Sequence, residues 1–411
     1  MTPGILPLLV IIFSCQHTSR TPSPSGARLA ASEGARQDLA ATLDFFATRP
    51  EYERAFGTGL LLPSGLSDLS AATCAACHAA IADDWHRSVH AQAWIDPQFQ
   101  AEIQKSDNRW LCLNCHTPLL TQQEYWPRGL VENDVERPVL TPNQLFNPSL
   151  REEGITCVAC HLRERDGVAT LAGPGLSDPS LAPHAVEVDP DLRSGRHCER
   201  CHDVQATYAG KSFICTFETG AELRAGPWDD PPDNATCVSC HMPPVERPAA
   251  TGGPDRTVAQ HFWRGAGIPK LEGRYPPESA NPHGLNLSAR FAGDDLILEL
   301  ENVRAGHKLP TGDPERWIQV DVLPFAEDTG LGPALTTRIG QEWEWTTPPV
   351  RRSDNRLSPK ERREVTVTLP PGTTRVEIVA GSYRISEENA AFHHLGDYPR
   401  GVETHRIQLA R

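Results

Sequence analysis

The chain has 411 residues, a formal net charge of −14, 31 Gly and 37 Pro. This length predicts two or three domains at about 150 residues per domain, and the many turn residues predict a loop-rich fold. The acidic balance argues against nucleic acid and anionic membrane surfaces as partners, because both bind basic patches. There are 12 Cys and 16 His but 2 Met, which indicates metal chemistry before any motif is considered.

The first 15 residues resemble an export signal. Residues 5–13 form an apolar run far shorter than the ~20 residues that span a bilayer, and Ser14-Cys15 follows at once. This order is typical of a bacterial lipoprotein signal, in which Cys15 is lipidated and becomes the mature N-terminus. The alternative is a plain secretory signal with a chance Cys. We therefore expect a periplasmic or cell-surface protein, anchored to the outer membrane through a lipid on Cys15.

Residues 16–35 are polar and rich in Ser, Pro and Gly, which predicts a flexible tether. Residues 37–56 have a helical pattern that Pro50 breaks. The first folded domain is predicted to span residues 36–280.

Cys pairs recur about every 40 residues between Cys74 and His241. The segments between the pairs are not alike: residues 83–93 predict a helix that carries His86 and His90 four positions apart, whereas residues 173–183 predict a loop. What repeats is therefore a set of ligands and not a structural unit.

Each Cys pair belongs to the pattern Cys-x-x-Cys-His, which occurs five times. Two thiols three positions apart can each bond one of the two vinyl groups on one porphyrin edge, and the next imidazole then reaches the iron as proximal ligand. The motifs predict five covalently attached haem c groups with their iron. The attachment residues are Cys74, Cys77, Cys112, Cys115, Cys157, Cys160, Cys198, Cys201, Cys237 and Cys240, and the proximal ligands are His78, His116, His161, His202 and His241.

Other uses of Cys pairs fit less well. Zinc ribbons take two pairs per metal, which leaves one pair over, and zinc needs no His after each second Cys. Thioredoxin-like centres need a βαβ context that the sequence lacks. Disulfide frameworks are not built from one three-residue spacing repeated five times.

The sixth position of each iron is predicted to hold a second His. Met1 belongs to the predicted signal, and Met242 directly follows His241, where it cannot easily reach across the same haem. Apart from the proximal residues and His17 in the tether, ten His remain for five irons. Coordination by two His predicts low-spin haems of low potential.

Residues 281–411 contain no Cys and alternate between apolar and polar residues. Strands are predicted at residues 295–301, 317–323, 338–345, 364–369, 375–383 and 403–409, with no helix between them. The predicted fold class is therefore an α-helix/loop multihaem cytochrome domain followed by an all-β immunoglobulin-like sandwich, with the boundary near residue 280.

Several motifs resemble the cytochrome c-552/c-554 family of multihaem cytochromes. Residues 85–91, Trp-His-Arg-Ser-Val-His-Ala, are similar to its WxxSxHA signature, and further matches follow in family order at residues 113–119, 154–157, 240–243 and 261–265. Residues 306–312 resemble the GHxxPTG motif found where many bacterial multihaem chains join a C-terminal β-domain.

This resemblance implies His90, His184 and His261 as distal ligands, with His307 as a fourth. The fifth ligand stays open among His86, His197, His283, His393 and His394, or is absent.

The function expected from these features is electron transfer through a chain of haems. The acidic charge predicts a redox protein partner with a basic docking face. The alternative is an oxidoreductase acting on a small nitrogen or sulfur compound at one open haem, because the resemblance extends to the hydroxylamine oxidoreductase superfamily. A third interpretation is a filament-forming cytochrome that receives a distal His from a neighbouring chain. Cys215, Tyr208, Trp228 and Trp263 are interpreted as packing residues.

Overall fold

The computed structural model describes residues 32–52, 55–105, 109–175, 182–208, 212–226, 236–263, 265–271, 283–344, 346 and 349–411. The predicted signal, most of the tether, Cys15 and His17 lie outside these ranges. The predicted domain boundary also lies outside them, in the gap between residues 271 and 283.

Helix α1 spans Glu33–Ala47, so the last residues of the predicted tether are helical. Ser32 explains this early start, because its hydroxyl accepts a hydrogen bond from the backbone N–H of Ala35 at 3.2 Å. A short 3-10 turn at Pro50–Tyr52 follows, in agreement with the predicted break at Pro50.

Ten more helices of four to eight residues follow among the described residues of the N-terminal part. They are α2 Ala71–Ala75, α3 Ala79–His86, α4 Pro97–Glu102, α5 Arg109–His116, α6 Pro148–Glu152, α7 Cys157–His161, α8 Asp191–Ser194, α9 Arg196–His202, α10 Thr219–Ala225 and α11 Cys237–His241. Four of them, α5, α7, α9 and α11, end on the His of a Cys-x-x-Cys-His motif. Helices this short are unstable alone, so packing must hold them. None of the described helices is both long and apolar enough to cross a membrane.

The predicted helix over residues 83–93 is wrong in its C-terminal half. α3 ends at His86 and the chain turns before it reaches His90, so the two imidazoles do not share a helix face. The carbonyl of His90 accepts a hydrogen bond from the backbone N–H of Ile155 at 3.1 Å. A tertiary contact therefore overrides the local helical pattern.

The N-terminal part is also not mainly helix and loop, because it contains nine strands within its described residues. They are β1 Tyr125–Leu130, β2 Pro138–Pro142, β3 Leu162–Arg165, β4 Val168–Gly173, β5 Val186–Val188, β6 Asp203–Tyr208, β7 Ser212–Glu218, β8 Pro244–Pro248 and β9 Asp255–Ala259. They pair as β1-β2, β3-β4-β5, β6-β7 and β8-β9. Sequence patterns miss β2 and β8 in particular because both begin and end with Pro, which usually marks loops.

The C-terminal part consists mainly of antiparallel strands. They are β10 Leu285–Ala292, β11 Asp295–Asn302, β12 Trp317–Ala326, β13 Thr329–Gly330, β14 Leu335–Glu344, β15 Val350–Asp354, β16 Arg362–Thr368, β17 Arg375–Tyr383 and β18 Gly401–Ala410. One sheet has the order β10-β11-β16, and the other has the order β15-β14-β12-β17-β18 with β13 beside β12. All six predicted strands are present, and β10, β13 and β15 were not predicted.

The two C-terminal sheets enclose one apolar core. Leu296, Leu298 and Leu300 alternate along β11 and are fully buried, and Val320 and Ile378 face them from the other sheet. Burial of each such side chain contributes roughly 1.5–3 kcal/mol, which makes this layer the main source of stability for the region.

One helix, α12, interrupts the C-terminal strands at Glu387–Phe392, so the expectation of no helix there is wrong. Ser386 begins it by accepting a hydrogen bond from the backbone N–H of Asn389 at 3.1 Å. α12 lies between β17 and β18 and presents Phe392 to solvent with 72% of its surface exposed.

Buried polar contacts join the C-terminal sheets to the N-terminal part. The hydroxyl of Tyr398 donates to the carboxylate of Asp96 at 2.7 Å. Arg356 and Glu222 form an ion pair at 2.6 Å, with side chains 2% and 6% exposed. Because removal of one partner leaves a buried charge, such contacts fix how the two parts meet.

Candidate haem-binding site

The five motifs surround one continuous cavity of about 2430 Å³. Ordinary ligand pockets measure roughly 300–1,000 Å³, so this cavity has room for a much larger ligand or for several ligands. We number the motifs as sites 1 to 5 in chain order, at residues 74–78, 112–116, 157–161, 198–202 and 237–241. The His of every motif lines the cavity wall.

The motif thiols bring neighbouring sites together. None of the ten motif Cys is in a disulfide. The thiols of Cys74 and Cys157 shift each other's pKa, lowering that of Cys74 and raising that of Cys157, which places site 1 beside site 3. The thiols of Cys198 and Cys237 do the same for sites 4 and 5.

Gly195 makes the contact between sites 4 and 5 possible. Its φ of +81° lies in the left-handed region, and a Cβ at this position would lie 2.7 Å from Sγ of Cys237. The residue that precedes α9 must therefore be Gly for both conformational and steric reasons.

Backbone carbonyls orient the proximal imidazoles. Nδ1 of His78 donates to the carbonyl of Ala249 at 2.6 Å, and Nδ1 of His161 donates to that of Ala172 at 2.7 Å. With Nδ1 engaged, Nε2 is the nitrogen left to bind a metal.

Four of the motif imidazoles face a second imidazole across the cavity. The ring-centre distances are 6.4 Å for His78 and His184, 6.1 Å for His161 and His261, 6.3 Å for His202 and His90, and 6.2 Å for His241 and His307. Two metal–nitrogen bonds of about 2 Å, with about 1.1 Å from each nitrogen to its ring centre, put two axial imidazoles about 6.2 Å apart. The four pairs therefore have the separation that a six-coordinate iron requires.

His90 follows the site 1 motif in sequence but faces site 4. Gly154 permits this position: its φ is +60°, and a Cβ there would lie 2.8 Å from the carbonyl oxygen of His90. Trp263 packs edge-on against the His90 ring at 4.5 Å, so this aromatic residue has the packing role expected of it.

Two buried polar residues that the sequence analysis missed hold the backbone of two predicted distal ligands, His261 and His307. The carboxylate of Asp84 accepts from the backbone N–H of His261 at 3.2 Å and pairs with Arg247. Asn302 donates through Nδ2 to the carbonyl of His307 at 3.0 Å. A signal for Asn302 exists in the sequence, because it occupies an inward position in the apolar alternation of β11, where a polar side chain needs a buried partner.

Burial keeps the distal imidazoles neutral. It lowers the pKa of His90 to about 3 and the pKa values of His261 and His307 to about 4. A protonated imidazole cannot bind a metal, because the proton occupies the nitrogen lone pair. These side chains are therefore ready to bind iron at neutral pH.

Site 2 has a different environment. Nδ1 of His116 donates to the carbonyl of Ala93 at 2.8 Å, and the Phe99 ring stacks on the imidazole at 3.6 Å. Among the described residues, no imidazole lies opposite His116 at the 6.1–6.4 Å of the other pairs.

The five His left open as a fifth ligand have other neighbours. His86 lies beside Trp85, His197 beside Cys198, His283 beside His405 and His393 beside Glu102, and His394 is in a turn with φ +55°. The side chains of Cys215 and Tyr208 and all of Trp228 lie outside the described part of the chain.

Comparison with known proteins agrees with this geometry. Residues 73–162 match the family model described as cytochrome c554 and c-prime. The structure is similar to that of a penta-heme cytochrome c552 from Thermochromatium tepidum, with a TM-score of 0.62 and 19% identity over 85% of this chain and 100% of that chain. No curated protein matches the chain.

The match at residues 73–162 and the shared fold support a multihaem c-type cytochrome. Its cofactor is covalently bound haem c, which supplies an iron that alternates between two oxidation states.

The residues around the cavity fit this cofactor. Besides the thiols and imidazoles, the cavity is lined by Arg316, whose Nε is buried and has no acceptor among the described residues. A buried N–H without a partner is costly. A haem propionate is the acceptor that the cofactor brings.

Replacement of Gly195 tests the packing of sites 4 and 5. We expect Gly195→Ala to reduce the haem content of the cytochrome by at least one group per chain, because the added Cβ displaces the Cys237 thiol. Haem per chain, measured by absorbance against protein concentration, is the readout. Gly167→Ala is the matched control, since Gly167 has a similar φ of +79° but nothing within 4 Å of the added Cβ. Equal haem content in both variants would contradict this account.

Proposed function

We propose that this cytochrome is an exported pentahaem protein that transfers electrons through a series of haems, four of which have two His ligands. The observation that carries the proposal is the set of four imidazole pairs at the separation of axial ligands. Two neutral imidazoles fill both axial positions, so such an iron exchanges electrons without binding a substrate.

Contacts between the sites support an order for the series. The mutual pKa shifts of neighbouring thiols link site 1 to site 3 and site 4 to site 5. The pKa of the Cys198 thiol is raised first by Cys237 and also by the nearby Cys160 of site 3. These contacts support a series in which the sites follow one another in the order 1, 3, 4, 5. Site 2 lies beside site 4, because His116 contributes to the lowered pKa of His90, after burial and His202.

Site 5 is the best candidate for exchange with a partner. Its Cys240 is the exposed member of the ten motif Cys, so an attachment edge lies near the surface. The chain carries a net charge of −14, which favours a redox protein with a basic docking face.

The proposed function includes export from the cytoplasm and a two-domain architecture. Residues 1–15 act as the signal and Cys15 carries the lipid, so the protein is periplasmic or on the cell surface at the outer membrane. Residues 36–280 form the haem domain, and residues 281–411 form a sandwich of the immunoglobulin-like kind that supplies His307. The shared core of the two C-terminal sheets supports this sandwich.

The environment of site 2 favours a second candidate function. A ferrous or ferric iron without a second His can bind a small nitrogen or sulfur compound, as an oxidoreductase requires. His116 lacks an opposite imidazole among the described residues, and this observation separates site 2 from the other four sites.

Single distal variants test the electron-transfer proposal. We expect His90→Ala, His184→Ala, His261→Ala and His307→Ala each to convert one low-spin haem to high spin while all haems stay attached, because the Cys residues are unchanged. Electron paramagnetic resonance of the oxidised protein gives the number of low-spin and high-spin haems, and the total haem content is measured alongside. His86→Ala is the control, since His86 is exposed and should leave every signal in place. A distal variant with an unchanged low-spin count would reject that residue as a ligand.

Replacement of Cys15 tests the lipid anchor. We expect the full-length protein to fractionate with membranes, and Cys15→Ser to appear in the soluble periplasmic fraction with the same haem content. Membrane association that persists in Cys15→Ser would show that a lipid on this residue is not the anchor.

Carbon monoxide distinguishes the two candidate functions at site 2. We expect it to change the absorbance of the reduced cytochrome by the equivalent of one haem, because one iron lacks a second His. His393→Ala should show the same stoichiometry, since His393 interacts with Glu102 at 3.2 Å. No change in the unmodified protein but a one-haem change in His393→Ala would make His393 the fifth distal ligand and remove the second candidate function.

A further inference from the structure

Three basic side chains line the corner of the haem cavity where the C-terminal part meets the N-terminal part. They belong to Lys270, Arg316 and Arg384. Lys270 forms an ion pair with Asp96. Arg384 donates to the hydroxyl of Tyr398 at 2.8 Å and to two backbone carbonyls. Two of the three side chains therefore have partners within the protein.

Arg316 differs from these two. Its Nε is buried and has no acceptor among the described residues, and its guanidinium forms no ion pair with any of the carboxylates that the structure describes. The carboxylate of Asp313, three residues earlier, accepts from the backbone N–H of Glu315 at 2.8 Å instead. A cation without a partner is costly away from bulk water, so the Arg316 side chain indicates an anion that enters the cavity.

The loop that carries Arg316 lies against strand β7. Gly312 has a φ of +89°, and a Cβ at this position would lie 3.7 Å from Nε of Arg316 and 3.9 Å from Cδ1 of Phe217. The guanidinium and the Phe217 ring are therefore close together on one side of the loop. A hydrogen bond of 2.9 Å between the hydroxyls of Thr311 and Thr219 fixes the loop in this position.

Phe217 connects the loop to site 4. In the β6-β7 pair it lies opposite Val204, which comes two residues after His202, the motif imidazole of site 4. Phe217, Val204 and His202 line the same cavity as Arg316. Burial lowers the pKa of His202 to about 4, and the charges of His241 and Arg316 lower it further. The contacts and this charge effect both place Arg316 beside site 4.

Haem supplies an anion of the required kind. Two propionates project from the porphyrin edge opposite the one that bonds the thiols. The planar guanidinium of Arg can donate two parallel hydrogen bonds to a carboxylate, which an ammonium group cannot do. A propionate at hydrogen-bond distance would give Nε of Arg316 its acceptor and would also balance the charge of the side chain.

We propose that Arg316 binds a propionate of the haem at site 4 and thereby raises the reduction potential of that haem. An electron from the redox partner makes the haem one charge more negative, and a nearby cation stabilises this reduced form relative to the oxidised form. The partner is oxidised by one electron and no covalent bond changes. This inference rests on the proposed attachment of haem at site 4 between His202 and His90.

The test is a redox titration of the intact cytochrome, followed by absorbance and by electron paramagnetic resonance. Arg316→Gln should make reduction of one haem about tenfold less favourable, which is roughly the effect of one charge at the edge of a partly buried haem. For one electron this corresponds to a potential about 59 mV lower. Arg316→Lys keeps the positive charge and should recover most of the lost potential.

A second substitution assigns the affected haem. His90→Ala is expected to convert the site 4 haem to high spin, so this haem can then be followed by the high-spin signal that the variant adds. Combining Arg316→Gln with His90→Ala should lower the potential at which this added signal disappears. The low-spin haems should titrate as they do in His90→Ala alone.

Arg338→Gln is the matched control. It makes the same chemical change at an exposed position of β14, where the guanidinium lies over the Trp317 ring at 4.5 Å and does not line the cavity. Solvent and salt screen a charge at such a position. Every haem potential should therefore stay as in the unmodified protein.

The outcomes separate this inference from the proposed function. A chain with fewer than five haems that keeps the site 4 haem would reject the pentahaem proposal alone, and a chain without a haem at site 4 would overturn both. Unchanged potentials in Arg316→Gln with full haem content would overturn the role of Arg316 and would leave water as the acceptor for Nε. A shift confined to another haem, or an equal shift in Arg316→Lys, would also overturn it.

A second measurement covers the case in which Arg316→Gln takes up less haem. Arg316→Lys keeps the charge but loses the two parallel hydrogen bonds, so the infrared carboxylate bands that change on reduction should shift in this variant. Bands at unchanged positions would mean that the Arg316 guanidinium does not contact a propionate, and the proposal would fail.

Discussion

The separation of about 6 Å between facing imidazoles is the constraint on which the proposed haem sites depend. An iron with two axial imidazoles needs nitrogens on opposite sides of one ring, and at four sites the chain brings facing imidazoles together from segments that are far apart in sequence. His90 and His202 are 112 positions apart, yet their ring centres lie 6.3 Å from each other. Short helices and small hairpins suffice in this region because they pack on two apolar clusters, around Trp110 and around Leu119, beside a large cavity that haem would fill.

The same constraint gives the C-terminal sandwich a structural role in the haem region. His307 lies opposite His241, so the C-terminal part contributes one of the two facing imidazoles at site 5. Asn302 holds the His307 backbone, and the Arg356–Glu222 ion pair fixes the neighbouring surface. A rigid β-core is well suited to this task, because a distal ligand displaced by even 1 Å would no longer reach the iron.

The sequence predicts those features that depend on local chemistry. The five motifs follow from the spacing of two thiols and an imidazole, and the strands of the sandwich follow from period-two alternation, as in residues 295–301. Features that depend on distant contacts are not predicted. The turn at His90 depends on a hydrogen bond from the backbone of Ile155. The spacing of the motifs does not indicate that His90 faces site 4 instead of site 1. The strands β2 and β8 form because partner strands pair with them, despite terminal Pro residues.

Site 2 differs from the other four sites in the ring that lies next to its motif imidazole. Phe99 stacks on His116 at 3.6 Å, whereas each of the other motif imidazoles faces a second imidazole among the described residues. The connection between β11 and β12 carries His307, which faces His241 of site 5, and further along it carries Asp313 and Glu315, which line the same cavity. One connection of the β-region therefore forms a wall of the cavity as well as presenting an imidazole to site 5, so the cavity cannot be completed by the N-terminal part alone.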